Sequence, residues 1–140
     1  MHVVDPMHNL LLGIAKHVFD TWIESGSLRE EDLVEIDKRM KDIKIPSDLG
    51  RIPNGISQHW KNFKADEWKH WTLIYSYYCL REVLSTAEST LLCLFANACR
   101  LLCKYITEEE NDQAHHLLRI FCNKFQELYG KLGGPRKCDF

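Results

Sequence analysis

Apolar residues recur every three to four positions over most of the chain, the step of a helix with one buried face. From Asn9 to Glu24, Leu11, Ala15, Val18 and Trp22 keep that step, and Leu12, Phe19 and Ile23 widen the stripe. Asp5 and Pro6 stand before it as N-cap and first helical residue, and Gly26 stands after it as terminator. Ser27-Leu28-Arg29-Glu30 reads as a capping box for a second, amphipathic helix with Leu33, Ile36 and Met40 on its apolar side. Pro46, Gly50, Pro53 and Gly55 then break the pattern over roughly 20 residues, long enough to predict an ordered loop lying over the helices.

The pattern resumes from about Asp66 to Glu82, where Trp68, Trp71, Tyr75, Tyr78 and Cys79 share one side of a third helix. Ser85-Thr86-Ala87-Glu88 is another capping box, opening a helix that is apolar over most of its circumference through Leu91, Leu92, Phe95, Cys99, Leu102 and Cys103. It is the expected centre of the fold. Thr107 caps the last helix, where Ala114, Leu117, Leu118, Phe121, Phe125 and Leu128 form a stripe ending at Gly130. The expected fold is therefore mainly α, a bundle of about five helices over residues 1–130, with a loose tail at 131–140. Met1 to Asp5 reads as a strand stub with no partner within these residues.

Composition adds exclusions. The 140 residues carry 18 Lys+Arg, 20 Asp+Glu, 7 His and 45% apolar residues, the profile of an ordinary globular domain. No apolar run approaches the ~20 residues of a membrane span, and no secretory signal pattern is present, so no membrane partner and an intracellular location, nuclear or cytoplasmic, are expected. The formal charge of -2 lacks the global basic footprint of an autonomous nucleic-acid binder, leaving room for a local patch. None of the 6 Cys forms a CxxC pair, and most continue apolar stripes, which reads as small reduced core residues.

Three groupings could carry chemistry. Asp5 and His8, in Asp5-Pro6-Met7-His8, place an acid and an imidazole where a strand meets a helix; a carboxylate there suits a divalent metal, and plain capping explains the same residues. Cys99 and Cys103 with His115, His116 and Cys122 could meet across two helices as zinc ligands, but they lack the closely paired spacing of structural zinc, and no metal ligand is assigned. Lys61, Lys64 and Lys69 interleave with His59, Trp60, Trp68, His70 and Trp71, a basic-aromatic mixture suited to DNA; alternatively Trp68 and Trp71 are core and the lysines a solvated face.

Several strings occur together in one order: Val4-Asp5-Pro6-Met7-His8-Asn9-Leu10-Leu11-Leu12-Gly13, Arg51-Ile52-Pro53, Ala65-Asp66-Glu67-Trp68-Lys69-His70-Trp71-Thr72, Ala98-Cys99-Arg100-Leu101-Leu102-Cys103, Phe121-Cys122 and Leu128-Tyr129-Gly130. This ordered set resembles the C-terminal part of transposases of CACTA-type (EnSpm-like, Plavaka-like) DNA transposons, over residues 1 to about 130. The resemblance implies a DDE enzyme of the RNase H-like kind, in which three acids hold divalent metals such as Mg that drive DNA cleavage and strand transfer. Asp5 and His8 match the family's Asp-x-x-His motif, which is taken as support beside the acids. The acids themselves are expected upstream of that motif and in a later Phe-Glu-Arg segment, so this stretch is expected to hold no cofactor and to be catalytically incomplete, a transposon remnant. Two departures stand out. Lys64 replaces an expected Thr, leaving Asp66 to cap the helix, and Gly-Gly-Pro-Arg-Lys-Cys-Asp-Phe replaces a Cys-x-x-Asn-x-His continuation after Gly130. Partners implied are transposon-end DNA and further copies of the chain; the alternative is a helical binding module contacting DNA or another transposase chain.

Overall fold

The computed structural model describes residues 10–44, 55–103 and 107–130, and every regular element among them is helical. The strand stub at Met1 to Asp5 and the tail at 131–140 lie outside the described residues. The chain divides into two compact units, Met1–Val83 and Leu84–Phe140.

In the first unit, a π-helical turn, Leu10–Ala15, runs without a break into α1 (Lys16–Glu24). Gly26 ends it in the left-handed region at φ +82°, its N–H donating to the Ile23 carbonyl at 3.2 Å, while Leu28 N–H donates to the Trp22 carbonyl at 3.0 Å. That reversal buries Leu28, so Ser27 still belongs to the turn and cannot cap the next helix. The capping box expected at Ser27 is displaced by two residues: Arg29 N–H donates to Asp32 Oδ2 at 3.0 Å and α2 spans Glu30–Asp42.

Leu33, Ile36 and Met40 of α2 are buried as the spacing predicts, and the polar side of the helix does structural work as well. The Asp37 carboxylate accepts from both the backbone N–H and the hydroxyl of Ser57, holding α2 to α3 (Ile56–His59). Arg39 donates to the carbonyls of Cys79 and Arg81 at 3.0 and 2.8 Å, which satisfies free acceptors where a later helix ends. The expected long loop is thus partly helical, with α3 and a 3-10 turn, Trp60–Asn62, following Gly55 at φ +63°.

The predicted third helix is interrupted. Its first part, α4 (Ala65–His70), passes into a π turn, Trp71–Tyr75, and then α5 (Ser76–Cys79) before turns at Leu80–Val83 in which Glu82 takes φ +66°. One wide turn re-phases the helix. Trp68, Trp71, Tyr75 and Cys79 stay buried, but Tyr78, expected on the same side, rotates to solvent, its hydroxyl 3.4 Å from Asp42 Oδ2. Phe19 sits at the middle of the resulting aromatic core, 5.3 Å from the Trp60 ring, 5.7 Å from Trp68 and 5.9 Å, edge-on, from Trp71.

The second unit is an antiparallel pair, α6 (Thr86–Leu102) and α7 (Glu108–Tyr129). Both predicted caps form: Glu88 N–H donates to Ser85 Oγ at 3.2 Å and Glu110 N–H to Thr107 Oγ1 at 3.1 Å. Phe95, Phe121, Phe125 and Tyr129 stack along the interface at 5.3, 5.8 and 4.9 Å between successive rings. Tyr129, not Leu128, completes the α7 stripe, since Leu128 is exposed; Cys103 is also exposed because α6 stops at Leu102.

Candidate nucleic-acid interface

Burial sorts the basic-aromatic stretch into core and surface. Trp60, Trp68, Trp71 and His70 are buried, and Trp68 is sealed so fully that its indole N–H finds no acceptor. They are core, which leaves the lysines as the surface component. Lys61 and Lys64 are exposed and Lys69 half-buried. Lys64 caps α4 through its backbone N–H, which donates to Glu67 Oε1 at 3.0 Å. Glu67, and not the exposed Asp66 that the sequence pointed to, therefore supplies that cap: it stands three residues past the cap, the position from which a side chain folds back.

Of the three lysines, Lys61 lines a cleft of ≈ 380 Å³ together with Gly13, Lys16, His17, Asp20 and Trp60. Lys16 Nζ donates to the Lys61 carbonyl at 2.9 Å, and the Lys61 ammonium lies 5.5 Å from the centre of the Trp60 ring. Each cation is thus held by the scaffold in a defined place. Asp20 is one turn beyond Lys16 on the same face of α1, and among the described residues its carboxylate has no hydrogen-bond or ion-pair partner. A Cβ added at Gly13 would meet nothing within 4 Å, so the space beside that wall of the cleft is open. Lys64 and Lys69 do not line it.

Lys16, His17 and Asp20 were not singled out from the sequence. Gly13, Lys16 and Asp20 do follow one another at helical spacing on the face opposite the Phe19 and Trp22 stripe, so a polar face was readable. Its meeting with Lys61 requires the tertiary fold.

Asp5 and His8 lie outside the described residues. The imagined zinc cluster is not assembled: Cys99 is buried, Cys103 and His116 are exposed, and no three His, Cys, Asp or Glu side chains converge among the described residues. For the same reason the described residues do not fit the divalent metals of a DDE site. Burial pushes the Cys79 thiol up to about 12, the Arg39 guanidinium opposing it, and pushes Cys99 to about 12 as well, so both are poor nucleophiles. No helix among the described residues is long and apolar enough to cross a membrane. No family model, curated protein or solved structure matches the chain.

Proposed function

We propose that this chain is the helical portion of a DDE-type DNA transposase of the CACTA type, and that it contributes DNA contact to a reaction whose metal-holding acids belong to other segments. The observation that carries the DNA contact is the pairing of Lys16 and Lys61 on one cleft, two cations fixed by a backbone carbonyl and an aromatic ring in a chain of net charge -2. The family assignment draws support from the ordered strings themselves, of which those among the described residues fall on helical segments. Ala65 to Thr72 builds α4 and the start of the π turn and delivers Trp68 and Trp71 to the Phe19 core; Ala98 to Cys103 closes α6; Phe121 and Tyr129 line α7.

Translating the genomic DNA on either side of the reading frame tests the assignment. The expected result is coding sequence for the missing acids, bounded by terminal inverted repeats. Unrelated sequence on both sides, without repeats, would overturn it. The second reading is a helical module that binds DNA or another transposase chain without strand chemistry; Tyr77 and Val34 are large apolar side chains exposed for such a contact. Sedimentation of the purified chain over a concentration series separates a self-associating module from a monomer.

A further inference from the structure

The geometry points to a subsite for one unpaired nucleotide in the Lys16–Lys61 cleft, with its phosphate on the two ammoniums and its base edge on Asp20, guanine preferred and thymine disfavoured. This rests on the DNA-contacting reading above and adds which part of the DNA is held and what selects it.

The lysines make the anionic half of the site. Bonding to the Lys61 carbonyl uses one of the three donors on Lys16 Nζ, leaving two for a phosphate oxygen. Lys61 is restrained over the Trp60 ring, so less side-chain freedom is lost when it binds. Asp20 makes the other half. An ionised carboxylate only accepts hydrogen bonds, and one that lines the same cleft as two lysines without a partner repels a second anion while favouring a donor. A ligand that satisfies both halves of the one cleft carries an anion and hydrogen-bond donors, which describes a nucleotide.

Base choice follows from donor geometry. Unpaired guanine offers two parallel N–H donors to the two carboxylate oxygens, cytosine and adenine offer an exocyclic amine, and thymine offers one N–H flanked by two carbonyls that face the carboxylate unfavourably. The volume, ≈ 380 Å³, is at the small end of ligand pockets, about 300–1,000 Å³, which suits one nucleotide and not a base pair. His17 lines the same cleft and adds a further contact.

The test is fluorescence anisotropy with a labelled thymidine heptamer and the same strand carrying one central guanine, using the full chain. Wild type should bind the guanine strand about tenfold more tightly, the discrimination of one good bidentate contact. Asp20→Asn should bind the thymidine strand more tightly than wild type does, a repelling charge being gone, and lose the preference. Lys16→Met and Lys61→Met should each weaken both strands by about fivefold or more. Pairing the guanine with a complementary strand should abolish the preference, and inorganic phosphate should compete with both strands alike. Thermal melts confirm that each variant is folded. Equal binding of the two strands by wild type overturns the subsite, even where the lysine variants still weaken binding and the broader DNA-contacting reading survives. Binding of neither strand nor duplex DNA overturns both.

Discussion

The hydrogen bond from Tyr129 Oη to Glu88 Oε2, at 2.5 Å, joins the end of α7 to the first turn of α6 across 41 residues of chain. Both groups are buried, Glu88 at 8% exposure and Tyr129 at 6%. The other carboxylate oxygen, Oε1, accepts from the Ser85 backbone N–H at 3.2 Å and from its hydroxyl at 3.0 Å, so one side chain serves the cap and the helix pair together. Tyr129→Phe removes one buried donor and keeps the ring on Phe125, so it should cost about 2 kcal/mol, as for a hydrogen bond to a charged group. Ser85→Ala removes only a cap and should cost about 1 kcal/mol. Glu88→Ala removes both functions and should cost about 3 kcal/mol. In urea unfolding of the full chain, Tyr129→Phe should then add little to Glu88→Ala, giving a coupling of about 2 kcal/mol in the double-mutant cycle. Additive costs, or a Tyr129→Phe cost below about 0.5 kcal/mol, would show that the two helices are joined by ring packing alone.

Further outcomes follow from single positions. Phe121→Ala should destabilise by about 3–5 kcal/mol in the same assay, because the ring is buried and stacked on Phe95 and Phe125. Glu82→Gly should raise stability by about 0.5–1 kcal/mol, because φ +66° burdens any residue with a Cβ, and thermal melts should show the gain. Alkylation at neutral pH, mapped by mass spectrometry, should modify the exposed Cys93 and Cys103 and spare Cys79 and Cys99 until the chain is unfolded. The two buried thiols keep their protons in the fold while unfolded thiols lose theirs near the ordinary value of 9.0, so stability present below that pH should be lost progressively as pH rises toward about 12. Cys99→Ala should lessen that alkaline loss.

The helices were legible because each declares itself locally. Ser85 and Glu88, Thr107 and Glu110, and the Phe95 and Phe121 stripes combine a cap with a 3.6-residue period, and local signals of that kind survive folding unchanged. The interruption of the third helix was not legible, since no glycine or proline lies between Asp66 and Glu82 and the buried Trp68, Trp71, Tyr75 and Cys79 keep the spacing of a regular α-helix. The cleft was half legible. Lys61 was picked out by composition, and Lys16 and Asp20 were visible only as the polar side of α1, because a contact spanning 45 residues leaves no local trace.

Salt-dependent DNA binding decides whether Lys16 and Lys61 contact phosphates. Affinity for a duplex should fall linearly on a plot of log K against log salt concentration, and the Lys16→Met/Lys61→Met double variant should flatten that slope by about two, one unit for each phosphate contact removed. A slope identical to wild type, or no binding at low salt, would contradict a DNA-contacting role for the cleft.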